Sequence, residues 1–144
     1  LIVRLQSGAT PRRAVVGWDS GRLAMLLAVL EARCGLNFSS CEVYLNVAGG
    51  YRLADPAADL AVAAALVSAL GDKPLPANAV WFGEVSLAGE IRPVAHAGIR
   101  QKESAKLGFA KAHGPAGGGS SEGGARLDEL RLLPNLVDRI LSGS

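Results

Sequence analysis

Residues 55–71 constrain this chain more than any other stretch. Asp55-Pro56 reads as a helix start, a carboxylate able to accept from free backbone amides followed by a ring that presets helical φ. Residues 57–70 then hold seven alanines and only two polar residues, Asp59 and Ser68, before Gly71 stops the run. A helix with so little polar surface belongs at the centre of a core, where its small side chains let neighbours come close. The rest of the fold must supply cover for it.

That cover is readable on both sides. Residues 14–18 (AVVGW) read as a short strand after the basic turn Thr10-Pro11-Arg12-Arg13. Asp19 or Ser20 caps a helix in which Leu23, Leu26, Leu27 and Leu30 recur on one face, and Gly35 ends it. Ala24, Met25, Ala28 and Val29 widen the apolar surface, so burial on most sides is expected. Residues 41–47 are rich in strand formers, and Gly49-Gly50 then permits an unusual backbone path. Residues 80–84 and 87–94 read as strands around an Ala88-Gly89 turn. Residues 97–107 form an amphipathic helix carrying Arg100, Lys102 and Lys106.

Residues 114–124 (GPAGGGSSEGG) read as a flexible loop. Residues 127–141 suggest a closing helical segment interrupted at Pro134. No internal repeat is present. Interleaved strands and helices make the class α/β (α+β), a mixed sheet packed with helices in one domain over residues 1–144, its core at about 11–113.

Composition removes whole classes. With 49% hydrophobic and 19% charged residues in 144, the chain is no disordered segment and can bury a core. Two cysteines, Cys34 and Cys41, are too few for a disulfide scaffold and read as small reduced hydrophobes. No CxxC occurs, and His96 and His113 lie far along the chain from both cysteines, so no zinc site is expected. The apolar runs at residues 23–30 and 60–67 are short of a bilayer span, and no signal peptide is visible. The chain, opening on Leu1, reads as a piece of a longer cytoplasmic protein with no membrane partner.

Familiar catalytic patterns are absent. There is no GxxxxGKS/T loop for a nucleotide, no GxGxxG, no HExxH and no GxSxG. Glu84 and Glu90 flank a turn without a histidine or metal signature beside them, which is weak ground for acid–base chemistry. His96, just before a helix, reads as a cap or loop residue.

Three long blocks carry a family resemblance. They are residues 11–30 (PRRAVVGWDSGRLAMLLAVL), 43–70 (VYLNVAGGYRLADPAADLAVAAALVSAL) and 82–109 (FGEVSLAGEIRPVAHAGIRQKESAKLGF). In this order they resemble the C-terminal Lon-protease-like domain of the RadA (Sms) family of bacterial DNA repair proteins, over roughly residues 11–113. The resemblance implies a ring-forming Lon-protease C-terminal-like fold. Peptidases of that fold pair a serine, in a GPSAG-type motif, with a lysine in a GGLKEK-type motif. The matching stretches here are Asp55-Pro56-Ala57-Ala58-Asp59 and Ala97-Gly98-Ile99-Arg100-Gln101-Lys102, which put Ala57 and Arg100 at the two dyad positions.

A methyl group cannot attack a carbonyl, and a guanidinium cannot act as a base near neutral pH. Lys102 points to roughly the opposite helix face, and Ser68 lies about three turns from Ala57. The domain is therefore expected to have no catalytic residue, and a residual serine peptidase is the weakest alternative.

By the same resemblance, the domain forms a homohexamer beneath a RecA-like ATPase domain of the same chain. The parent would be a ring-shaped helicase of the DnaB type that promotes branch migration on single- or double-stranded DNA, with the recombinase RecA as a further partner. ATP, magnesium and zinc would bind only in that N-terminal part, leaving this domain without a cofactor. The net charge of +2 supports nucleic-acid binding only through its placement. Residues 1–52 hold six Lys and Arg against three Asp and Glu. Arg12, Arg13, Arg22, Arg92, Arg100, Lys102 and Lys106 are the candidate sequence-independent phosphate contacts. The alternative is a pure oligomerisation module whose DNA contacts are made by the ATPase domains.

Overall fold

The computed structural model describes residues 1–5, 10–48, 53–116 and 126–142. Its elements run β1 (Ile2–Arg4), β2 (Arg13–Val16), α1 (Ser20–Cys34), β3 (Cys41–Asn46), a 3-10 turn (Pro56–Ala58) and α2 (Asp59–Gly71). They continue as β4 (Ala79–Trp81), β5 (Glu84–Val85), β6 (Ile91–Arg92), α3 (Ala97–Lys106), β7 (Lys111–Pro115), β8 (Arg126–Leu130) and α4 (Leu133–Leu141). The architecture is mixed α and β, as the interleaved sequence signals require. Among the described residues the strands form three small sheets rather than one mixed sheet. β3 lies between antiparallel β1 and parallel β2; β7 lies between β4 and β8, all parallel; β5 and β6 make an antiparallel pair.

The alanine-rich helix sits where its composition places it, with one qualification. Leu60, Val62, Ala63, Ala64, Leu66 and Val67 are buried against Leu23, Leu26, Leu27 and Leu30 of α1 and Leu133, Leu136, Val137 and Ile140 of α4. Each such leucine or valine contributes roughly 1.5–3 kcal/mol by leaving water. Ala61, Ala65 and Ala69, spaced by one turn, face outward. Alanine tolerates that position because a single methyl costs little in water. α1 likewise exposes Ala24 and Ala28, so it is not covered on most sides.

The helix ends follow their local chemistry. The Asp19 carboxylate accepts the Arg22 amide at 3.0 Å, and Gly35 closes α1 with φ 70°. α2 runs through Gly71, and Asp72 takes the left-handed turn at φ 51°. The strand expected at 80–84 breaks at Phe82-Gly83 instead. There the Gly83 amide donates to the Ala57 carbonyl (2.9 Å) and the Leu60 amide donates to the Gly83 carbonyl (3.0 Å). The backbone groups that would continue a ladder are spent on the start of α2. The strand expected at 87–94 is shorter for a related reason, since a turn occupies its first residues; Ile91–Arg92 pairs with β5, and Glu90 makes a single bridge to Leu132.

The C-terminal third departs most from expectation. Gly114 and Pro115, read as the start of a flexible loop, are buried in β7. A Cβ on Gly114 would stand 2.9 Å from the Phe82 ring, so glycine here serves close packing rather than flexibility. Residues 127–130, read as helical, belong to the edge strand β8. Pro134 lies in the first turn of α4, where a missing amide is harmless, and does not interrupt it. Leu130, Leu133, Leu136 and Val137 belong to the main core, which therefore extends well past residue 113. Gly49-Gly50 and residues 117–124 lie outside the described residues. No helix among the described residues is long and apolar enough to cross a membrane.

Candidate degenerate active site and basic surface

The turn before α2, which carries Ala57, and the first turn of α3, which carries Arg100, are linked through Asp55. Asp55, in extended conformation, accepts the Ala57 amide at 3.0 Å and so caps the turn that carries Ala57. Ala57 is buried against Phe82 and Ala112. From α3, the Arg100 guanidinium donates through Nη2 to Asp55 Oδ2 at 2.9 Å and through Nε to the Ala95 carbonyl at 3.0 Å. Arg100 thus touches the carboxylate that caps the Ala57 turn. The Ala57 amide, and then Arg100, hold the Asp55 carboxyl below the usual carboxylate range. Neither the Ala57 methyl nor the Arg100 guanidinium can serve as a nucleophile or a base near neutral pH.

A second ion pair lies one turn further on. Asp59 is only 2% exposed. Its two oxygens accept Nε and Nη2 of Arg22, each at 2.5 Å, and Oδ2 also accepts the Val85 amide at 3.0 Å. Glu84 stands 4.0 Å from the same guanidinium. The hydrogen bonds to Asp59 raise the Arg22 pKa above its ordinary value, against a smaller opposing effect of burial. The bidentate fork lets a charge sit inside the fold, and the start of α2 favours a carboxylate there.

The remaining basic candidates separate into two groups. Arg13 donates to the backbone carbonyls of Phe38 (2.9 Å) and Cys41, tying β2 to the start of β3. Lys106 pairs with Glu103 at 3.4 Å along α3. Arg12, Arg92 and Lys102 are exposed and make no side-chain hydrogen bond or ion pair among the described residues. Arg92 stands across the β5–β6 ladder from Glu84. His96 occupies the residue before α3 with φ 63° and makes no side-chain cap.

A further cluster was not visible in the sequence. His113 on β7 is stacked on Trp81 with ring centroids 4.9 Å apart, and its Nδ1 lies 3.4 Å from Asp128 Oδ2 on β8. Asp128 also pairs with Lys111 (3.5 Å) and with Arg139 of α4. Trp81, His113 and Arg139 border a cavity of about 70 Å³ with Leu75, Leu136 and Ile140. Burial first, then Lys111 and Arg139, pushes His113 down to about 4. These residues come from four elements, β4, β7, β8 and α4, so no local spacing announces them.

No family model matches the chain. Curated proteins do match it. It is 56% identical over 141 residues to the DNA repair protein RadA of Brucella abortus, covering 96% of this chain. It is 61% identical over 102 residues, 71% of this chain, to RadA of Rickettsia felis. It is 46% identical over 140 residues, 93% of this chain, to RadA of Synechocystis. The chain is homologous to RadA. It spans 30%, 23% and 27% of the length of these three RadA proteins, so it corresponds to a part of them.

Proposed function

We propose that this chain is a peptidase-dead Lon-like domain of a RadA-type DNA repair protein. In this reading it is a hexameric ring scaffold that contacts DNA without sequence preference during branch migration. It would work beside an ATPase domain of the same protein, with RecA as a further partner. The observation that carries the reading is that Asp55 both caps the turn carrying Ala57 and holds Arg100, in a chain homologous to RadA. What survives loss of the dyad is the shape of the domain and its charge.

DNA contact rests first on Arg12, Arg92 and Lys102, whose side chains are exposed and uncommitted among the described residues. In a six-fold ring each would recur around the axis, concentrating positive potential although one chain carries only +2. Fluorescence anisotropy of labelled DNA, titrated with the chain at about 50 and about 200 mM salt, tests this. Three phosphate contacts per chain weaken binding about 40-fold across that range. Replacing the three residues by glutamine flattens the salt dependence.

One observation favours a second reading, a pure assembly module. Arg13, Arg22, Arg100 and Lys106 already hold protein acceptors. No DNA binding at low salt, with the oligomer intact in sedimentation, would select that reading.

A further inference from the structure

We propose that Asp55 competes with DNA phosphate for Arg100, so that the Asp55–Arg100 pair attenuates the DNA affinity of this face. The proposal rests on the DNA-contact reading above and adds a specific restraint to it. The two ion pairs at the start of α2 differ in one decisive respect. The carboxylate facing Arg22 is 3% exposed, whereas Asp55 and Arg100 are 44% and 30% exposed. The buried pair cannot exchange with an outside anion, since opening it strands a charge in the interior. The outer pair is open to solvent, and such pairs are weak enough to exchange. A phosphate oxygen offers Arg100 Nη2 the same kind of charged acceptor that Asp55 Oδ2 provides.

The local backbone holds Arg100 in the retracted position. The chain turns at His96 with φ 63°, a left-handed conformation that residues bearing a Cβ rarely adopt. The Ala95 carbonyl just before this turn accepts Arg100 Nε, while the His96 carbonyl accepts the Arg100 amide at 2.9 Å. Asp55 is fixed from the other side by its bond to the Ala57 amide. Arg100 is therefore held at rest between two turns by contacts that solvent reaches. When a phosphate takes Arg100, the Asp55 carboxylate stays in place and faces that phosphate with like charge. Asp55 thus opposes DNA twice, by occupying Arg100 and by repelling what replaces it.

Asp55→Asn keeps an oxygen for the Ala57 amide and removes the charge. Anisotropy titrations of labelled duplex DNA with wild type, Asp55→Asn, Arg100→Gln and the double variant form the test. Asp55→Asn is expected to bind two- to five-fold tighter, about what an exposed ion pair is worth. Its salt dependence is expected to steepen by about one phosphate contact per chain. The double variant should lose that gain. A gain that persists without Arg100 overturns the proposal, because removal of any nearby negative charge then accounts for it. So does wild-type binding that Asp55→Asn leaves unchanged.

Absence of binding by both wild type and Asp55→Asn refutes the DNA-contact reading, and the competition falls with it. Asp55→Ser, which also retains a capping oxygen, repeats the measurement should the asparagine variant fold poorly. Phenylglyoxal modification of Arg100, mapped by mass spectrometry, reads the pair without DNA. It should accelerate in Asp55→Asn, and an unchanged rate overturns the proposal.

Discussion

Replacing Arg22 by methionine tests the interior ion pair that anchors α1 to α2. The change leaves the Asp59 carboxylate 2% exposed, with the Val85 amide as its one remaining donor among the described contacts. Removing one partner of a buried pair costs about 3–5 kcal/mol. The Arg22 side chain is 27% exposed, so the site is not fully dry and the lower end, about 3 kcal/mol, is expected. Asp59→Asn should cost less, about 1–2 kcal/mol. It keeps an oxygen for Val85 and lets Arg22 turn to water and to Glu84. The double variant buries no charge, so its loss should fall short of the sum of the single losses by about 1–2 kcal/mol. Urea unfolding at pH 7, followed through Trp18 and Trp81, measures all three variants. For a domain of this size 3 kcal/mol corresponds to a fall in Tm of roughly 6–12 °C. An Arg22→Met variant within about 0.5 kcal/mol of wild type, or strict additivity in the double variant, would refute the reasoning.

Three further outcomes follow from the same geometry. His113, held near 4 against an ordinary 6.5, is neutral in the fold and takes up its proton more readily once unfolded. Its contribution to stability is therefore complete above pH 6.5 and is lost as pH falls toward about 4, a loss of about 3 kcal/mol at the low end. His113→Phe keeps the stack on Trp81, and urea midpoints between pH 7 and 4.5 should fall less steeply for it than for wild type. Gly114→Ala forces the Phe82 ring aside and should cost about 1–3 kcal/mol in thermal unfolding, so an unchanged Tm contradicts the close packing of β7 on Phe82. The Ala57→Ser/Arg100→Lys double variant should stay unlabelled by a fluorophosphonate probe, because Asp55 would hold the new ammonium charged. Labelling would mean that the site is not closed by its carboxylate.

How far the sequence could be read depended on where each signal was stored. The α1 leucines, the Asp19 and Gly35 boundaries and the Asp55-Pro56 start all appear as expected, because caps and 3.6-residue periodicity act within a few residues. β7 and β8 were missed for the opposite reason. Ala112 to Pro115 carry no alternation, and the RLDEL of β8 suits a helix as well as a strand. Their parallel pairing with each other and with β4 makes them strands. The glycine of β7 looks like a loop residue until the Phe82 ring is seen against it.

The candidate site divides along the same line. The sequence by itself determined that Ala57 cannot be a nucleophile and Arg100 cannot be a base, since that follows from the side chains whatever surrounds them. It also determined the relationship to RadA, which three ordered blocks were enough to reveal. Only the tertiary structure decided which basic residues are committed. Arg22 and Arg100 are as hydrophilic as Arg12 and Arg92 when read in a line. Their partners, Asp59 and Asp55, lie 37 and 45 residues away along the chain and are brought within reach by the packing of α1 and α3 against the start of α2. Charge is a property of the residue, but whether that charge is free is a property of the fold.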